Sequence, residues 1–402
     1  MLTDLYSIPS PCYVLEENKL EHNLKILDQV QQKSGAKILV ALKGFAFWQS
    51  FGLVSQYLHG STASGIYEAR LGYETLGGRE QAKEVCVFSP AYKKEEILEL
   101  LPIATHIIFN SFHQWQTFKP LIDEHNATHS NQHIQVGLRL NPLYSEVTPE
   151  IYNPCAPKSR LGITPQAFQQ GIEQYGLDGI SGLHFHTHCE QNSDALERTL
   201  PHIFKHFSNY LSQMKWINLG GGHHITRKDY DLSLLISLIG MLKERFPNLD
   251  DIFLEPGEAV GWQCGYLMGE VIDIIENEGK IAILDVSATA HMPDCLEMPY
   301  RPNLSKLSKG ILEADQGENN APFRYRLGGP TCLSGDVIGD YSFHSPLEIG
   351  DRIFFEDMIH YTIVKNNTFN GVPLPSLGMI QKNGDFKLLK TFNYHHYKDR
   401  NG

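Results

Sequence analysis

From residue 37 to residue 255, short apolar runs alternate with stretches whose apolar residues recur every three or four positions. The runs are 37–43, 61–64, 85–89, 106–110, 134–141, 182–188, 215–219 and 252–255. Between them, 66–76, 93–101, 165–175 and 231–246 carry helical spacing. Strands alternating with helices in this way predict an α/β fold, a parallel (β/α)8 TIM-type barrel. The run 61–64 (Ser-Thr-Ala-Ser) is the least apolar of the set. After Gly257 the texture changes. Segments 267–275, 280–287, 324–328, 351–356 and 360–365 are strand-like and separated by Gly, Pro, Asn and Asp. They predict a C-terminal, mostly antiparallel β-sandwich or β-barrel domain. The expected division is a barrel over 15–259 and a β domain over 260–402. The β domain is joined by an N-terminal strand over 1–14, whose Pro9 and Pro11 suggest a sheet edge.

Composition narrows the class. A chain of 402 residues that is 42% hydrophobic and 20% charged can bury two cores, which excludes disorder. Lys and Arg total 34 against 46 Asp and Glu, a net charge of −12. Such a surface is poor for nucleic acid and better suited to a cationic small molecule. The opening residues Met1 to Tyr6 have neither the basic start nor the apolar run of a signal peptide, and no uncharged apolar stretch is long enough to span a bilayer. The seven cysteines are scattered without a Cys-x-x-Cys pair, which points to a reducing, cytoplasmic setting rather than a disulfide scaffold or zinc ribbon.

Chemistry in a barrel of this kind gathers at the C-terminal ends of the strands. Standing there are Lys43, Ser64, Pro90, Asn110, Arg139, Asn141, His186, His188, Gly220 to Gly222, and Glu255. A lysine at a barrel mouth can attack a carbonyl, although a solvated strand end would also place it there. Three glycines after the seventh strand let N–H groups approach a phosphate at the start of a helix. Glu255, in Glu255-Pro256-Gly257, could keep a pyridine nitrogen protonated. His184, His186 and His188 alternate along one run, a spacing that also suits metal ligands. A metal would leave the glycine triplet and Glu255 without a purpose, so none is expected.

Further along come Gly329-Pro330-Thr331-Cys332, Ser334-Gly335-Asp336, Asp357 to Thr362 and Phe369-Asn370-Gly371. In this order the motifs resemble the barrel-fold pyridoxal-phosphate decarboxylases of diaminopimelate, ornithine and arginine, from Pro11 to about Gly371. The stretches 41–48, 218–226 and 290–302 resemble one branch, the carboxynorspermidine (carboxyspermidine) decarboxylases. The resemblance implies that Lys43 holds pyridoxal 5'-phosphate covalently and that His186 stacks on its ring. Gly220, Gly221 and Gly222 would cradle its phosphate, Glu255 would pair with its nitrogen, and Tyr361 would lie near the phosphate. Cys332 would return a proton to the product carbon from the partner subunit of a homodimer with shared active sites. The implied reaction is decarboxylation of a carboxylated polyamine to norspermidine or spermidine.

Departures from the family pattern fall around the phosphate and the substrate. Glu258 stands where an Arg often follows Glu-Pro-Gly, Leu333 where an acid often follows the cysteine, and His188-Cys189 where relatives place Gly-Ser. Acidic residues that could meet the substrate's cationic nitrogens are Glu258, Asp294, Glu297, Glu313, Asp315 and Asp336, with Glu258 and Asp336 preferred. The competing readings are a diaminopimelate-type decarboxylase, a barrel-fold racemase, a pyridoxal-phosphate carrier and an inactive homologue. The Gly-Pro-Thr-Cys motif disfavours the racemase, the β domain the carrier, and retention of Lys43, Glu255 and Cys332 the inactive homologue.

Overall fold

The computed structural model describes residues 5–402. It divides into two compact units, residues 21–260 and the remainder of the described chain. Residues 1–4 of the expected N-terminal strand lie outside the described residues.

Strand β1 (Cys12–Glu16) belongs to the second unit. The first unit holds β2 (Lys37–Ala41), β3 (Gly60–Ala63), β4 (Glu84–Phe88), β5 (His106–Phe109), β6 (Gln135–Leu140), β7 (Gly182–Phe185), β8 (Trp216–Asn218) and β9 (Asp251–Leu254). All pairings are parallel, and β9 returns to β2, closing the barrel. The weakly apolar β3 is nonetheless buried throughout. Its small residues suit a strand pressed closely by neighbours, since a Cβ at Gly60 would overlap the Glu84 backbone.

The indole of Trp216 organises the lower core of the barrel. It packs with Leu39, Cys86, Ile108 and Phe253, and its Nε1 donates to Ser181 Oγ at 3.1 Å. The ring occupies the space that side chains at Gly137 and Gly182 would need. His106 fills the remaining gap, meeting the rings of Trp216 and Phe253 edge-on at 5.1 and 5.0 Å.

The second unit is one branched ten-stranded sheet. Its other strands are β10 (Gly265–Glu276), β11 (Lys280–Leu284), β12 (Leu304–Ser308), β13 (Ile311–Ala314), β14 (Phe323–Gly328), β15 (Val337–Phe343), β16 (Arg352–Glu356), β17 (Ser376–Ile380) and β18 (Phe386–Lys390). One limb runs β13-β12-β16-β10-β1-β17-β18, and the other leaves β10 through β11, β14 and β15. Strand β10 serves both limbs because it changes partner along its length. Residues 266–270 pair with β16 and residues 271–276 with β11, with a register shift between Val271 and Asp273. The β1–β17 and β11–β14 pairings are parallel and the rest antiparallel.

Two expectations are corrected. β1 is an interior strand between β10 and β17, because both prolines precede Cys12 and every residue from Cys12 to Glu16 keeps its N–H donor. Residues 360–365 are not a strand. They form a turn and the short helix Thr362–Lys365, entered through Tyr361 at φ +37°.

Lys306 is wholly buried in this unit. Its ammonium donates to Ser345 O, Ser345 Oγ and Pro346 O at 2.7, 2.8 and 2.9 Å, lies 3.4 Å from Glu313 and sits 5.0 Å from the centre of the Phe343 ring. A buried cation survives only when satisfied in this way, and removing one side of such a cluster costs about 3–5 kcal/mol. Lys306→Ala is expected to lower stability by about that amount in urea unfolding. For the barrel, Gly182→Ala is expected to cost about 1–3 kcal/mol by overpacking. That cost should shrink when Trp216 is also made Leu. An unchanged cost would separate Gly182 from the indole, and the double-mutant cycle measures this directly.

Candidate active site

Lys43 stands in the turn that closes β2, where Gly44 and Phe45 both donate their N–H to Ala41 O at 3.0 Å. The turn lies against the Glu255-Pro256-Gly257 loop. Ala41 donates to Pro256 O at 3.1 Å, and a Cβ at Gly44 would lie 3.0 Å from Gly257 Cα. The two main chains meet with no side chain between them. Solvent reaches Lys43 although protein encloses it on most sides, the condition of a group in an open hollow. That enclosure lowers its ammonium pKa. Arg139 adds to the effect, and Glu255 opposes it.

Glu255 ends β9 and is buried. Burial alone would raise its carboxyl pKa; His184, Asn218 and Thr62 outweigh it and hold the group at about 2. Asn218 Nδ2 donates to Glu255 Oε1 at 2.7 Å, and His184 Nε2 lies 3.5 Å from Oε2. Burial also lowers the His184 pKa, Glu255 opposing. Neither nitrogen of the His184 ring makes an ordinary hydrogen bond.

Asn218 has a second contact that fixes its amide. Its Oδ1 accepts the Gly220 N–H at 2.9 Å, so Nδ2 must face Glu255. The Glu255 N–H returns to Gly220 O at 2.8 Å. Gly221 donates its N–H to His186 Nδ1, also at 2.9 Å. His186 is neutral, its pKa pushed far down by burial and by Lys43 and Arg139. Because Nδ1 accepts, its proton sits on Nε2. Arg139, buried with its guanidinium 4.4 Å from the centre of the Phe88 ring, donates to His186 O at 3.3 Å and so steadies the same residue.

These contacts revise the glycine triplet. It does not open a helix; the next one begins at Leu232. The N–H groups of Gly220 and Gly221 are committed to Asn218 and His186. Gly222, at φ +79°, packs on the His188–Cys189 peptide so closely that a side chain there would overlap it. Among the described residues its N–H is the one of the three without a protein acceptor, and so the one left for an anion. His188 is likewise displaced from the expected row, because β7 ends at Phe185. It turns to His223, ring centres 4.8 Å apart, and to Thr199 Oγ1 at 3.3 Å.

Ligand atoms of His184, His186 and Glu255 lie within 4.8 Å of one another, close enough for a metal. The Gly221 N–H argues against one, since it occupies the Nδ1 lone pair and leaves His186 Nε2 protonated. The set suits an aromatic cation better. An ionised buried carboxylate, a neutral flat imidazole, a reachable lysine of lowered pKa and a free N–H at Gly222 match the nitrogen, ring face, aldehyde and phosphate of pyridoxal phosphate.

In the sheet unit, Cys332 is exposed, and its N–H donates to Asn370 Oδ1 at 2.9 Å. Tyr361 carries the strained positive φ noted above, a conformation that clusters at functional sites. The acids expected to meet a substrate are engaged. Asp336 is buried under hydrogen bonds from Ser287, Thr289 and Thr331. Asp294 and Glu297 are paired with Lys365 at 2.5 and 3.0 Å. In the barrel unit, Glu258 lies 3.9 Å from His224 Nε2. Sequence reasoning gave Asn218 no role, placed Arg139 at a strand end without one, and weighed His184 only as a metal ligand. The inward period of the His184-Phe185-His186 run and the position of Asn218 two residues before Gly220 were the available signals.

Residues 12–359 match the family described as pyridoxal-dependent decarboxylase, C-terminal sheet domain. The chain is 45% identical over 399 residues to the carboxynorspermidine/carboxyspermidine decarboxylase of Campylobacter jejuni, covering 98% of this chain and 99% of that one. It is 44% identical over 399 residues to the carboxyaminopropylagmatine decarboxylase of Synechocystis, covering 99% and 97%. The crystal structure of carboxynorspermidine decarboxylase from Campylobacter jejuni complexed with norspermidine superposes with a TM-score of 0.84 at 43% identity, over 98% of this chain and 100% of that one. Diaminopimelate decarboxylase from Helicobacter pylori shares the fold at a TM-score of 0.79 and 14% identity, over 98% of each chain.

The Glu255 shift has a pH consequence. Its pKa is about 2 folded and about 4.3 in an unfolded chain. It therefore contributes stability that is complete above the unfolded value and is lost as pH falls toward the folded one. Asn218→Leu should raise the Glu255 pKa and reduce that contribution. Melts of cofactor-free protein are expected to show a larger Asn218→Leu deficit at pH 7 than at pH 3. Equal deficits would mean that Asn218 serves packing alone.

Proposed function

Because the chain belongs to the pyridoxal-dependent decarboxylase family, we propose that it removes the α-carboxylate of a carboxylated polyamine, carboxynorspermidine or carboxyspermidine, as CO2. The observation that carries this reading is the end-to-end likeness, in sequence and in fold, to the carboxynorspermidine/carboxyspermidine decarboxylase of Campylobacter jejuni. Pyridoxal phosphate, when bound, supplies the electron sink for the pair left on Cα after CO2 departs.

The chain's own residues do the rest. Lys43, whose ammonium pKa is lowered by its enclosure, would be the amine that holds the cofactor's aldehyde carbon. Glu255 stays anionic at neutral pH and favours a proton on the ring nitrogen. His186 presents the face of a neutral ring held by Gly221 and Arg139. The Gly222 N–H would help hold the phosphate. Cys332 returns a proton from Sγ to Cα, contributed across a homodimer interface. Norspermidine in the Campylobacter jejuni complex is the kind of product this reaction would release.

A second reading is favoured by one observation. The Synechocystis relative is named for a substrate that carries an agmatine moiety, and therefore a guanidinium where spermidine precursors have an ammonium. The two heads differ in shape and donor geometry, so a pocket built for one discriminates against the other. The test is CO2 release by the pyridoxal-phosphate-loaded protein from carboxynorspermidine, carboxyspermidine, carboxyaminopropylagmatine and diaminopimelate. Highest kcat/KM on the first two is expected. Preference for carboxyaminopropylagmatine would establish the second reading, and preference for diaminopimelate would overturn both. Lys43→Ala should abolish release and the cofactor's protein-bound absorbance together.

A further inference from the structure

The loop that carries Cys332 is fastened from beneath. Asp336, four residues on, turns its carboxylate back under the loop. Its Oδ2 accepts the Thr331 hydroxyl at 2.7 Å and the Thr331 N–H at 3.3 Å. Ser287 Oγ reaches both oxygens, at 3.0 and 2.9 Å, and the Thr289 N–H reaches Oδ1 at 3.3 Å. The Asp336 main chain closes the other side, its carbonyl accepting the Gly329 N–H at 2.9 Å and its N–H donating to Leu333 O at 2.9 Å. Gly329 has no room for a side chain because the carboxylate lies where its Cβ would be.

The next N–H in the chain is held separately. Cys332 donates to Asn370 Oδ1, and Asn370 sits at φ +57° in a turn that is itself tied back. Asn367 in that turn donates its N–H to Ala290 O and its amide to Thr289 O, at 2.8 and 2.9 Å. Ser287 Oγ in turn accepts the Ala290 N–H at 3.1 Å. Three chain segments, 287–291, 329–336 and 367–371, thus converge on two consecutive N–H groups, those of Thr331 and Cys332. The thiol itself remains exposed.

A carboxylate with this many donors has no lone pair left for a substrate cation, and its burial keeps it from reaching one. Hydrogen bonds to a charged acceptor are also the stronger kind. An aspartate here gives a rigid mount that a neutral residue would not. We infer that Asp336 is a positioning residue: it fixes the Thr331–Cys332 backbone, with Asn370, so that the Cys332 thiol presents its proton from one place. This rests on the reading that Cys332 is the proton donor. It assigns Asp336 to that step and removes it from substrate binding.

Three measurements test it. Amide hydrogen exchange of the 329–336 peptide in the full-length holoenzyme should quicken at least roughly tenfold in Asp336→Asn, with exchange elsewhere unchanged. Thr331→Val, a milder lesion that removes one donor, should give a smaller change in the same direction. In turnover, Asp336→Asn should lower kcat with KM nearly unchanged, and its loss should disappear in a Cys332→Ala background. A raised KM, or a loss that adds to that of Cys332→Ala, would overturn the assignment and return Asp336 to the substrate. If Cys332→Ala alone keeps full kcat, the proton-donor reading fails. The exchange data would still report whether Asp336 holds the loop.

Discussion

A buried carboxylate has to be kept ionised, and the barrel meets that demand with His184, Asn218 and Thr62, of which the Asn218 amide reaches furthest into the rest of the site. Asn218 donates to Glu255 with its nitrogen and accepts from Gly220 with its oxygen. The first contact helps hold the acid charged against the desolvation that burial imposes. The second fixes the glycine loop. That loop then fixes His186 through the Gly221 N–H, and with it the position of the proton on the ring. Acid, glycine loop and imidazole are therefore set by one chain of short hydrogen bonds. A network of this kind is strong when every member is satisfied and fails as a unit when one is not.

The strand ends of a barrel are readable because periodicity locates them, and Lys43, His186 and Glu255 are all found there. The barrel itself was legible from the alternation of runs and helical stretches, including β3, whose burial its composition barely suggests. The glycine triplet was legible as a motif but not as an arrangement. Which N–H groups are spent inside the protein depends on side chains from two other strands, and spacing carries no record of that. The acids were the least legible. Asp336 and Asp294 share their formal charge with any substrate-binding aspartate, and only their neighbours show that it is already used.

The sheet unit was harder for a physical reason. Strands β12, β13, β15, β17 and β18 were not foreseen, and β13 and β18 are largely exposed edge strands without a clean alternation of inward and outward residues. Lys306 shows the same difficulty from the other side. A lysine in a short run reads as surface, yet this one is buried among carbonyl oxygens and beside an aromatic ring. Side chains distant in sequence decide both cases.

The contact between Gly44 and Gly257 bears on how finely the hollow can be tuned. Lys43 and Glu255 sit beside two main chains in direct touch, so the spacing between their anchor points is a hard-wall dimension with no rotamer in it. Heating, or exchange of nearby residues for larger or smaller ones, shifts side chains far more readily than it separates two backbones. The spacing of Lys43 and Glu255 therefore has a narrow mechanical tolerance. Side chains elsewhere in the hollow can be exchanged without disturbing that separation.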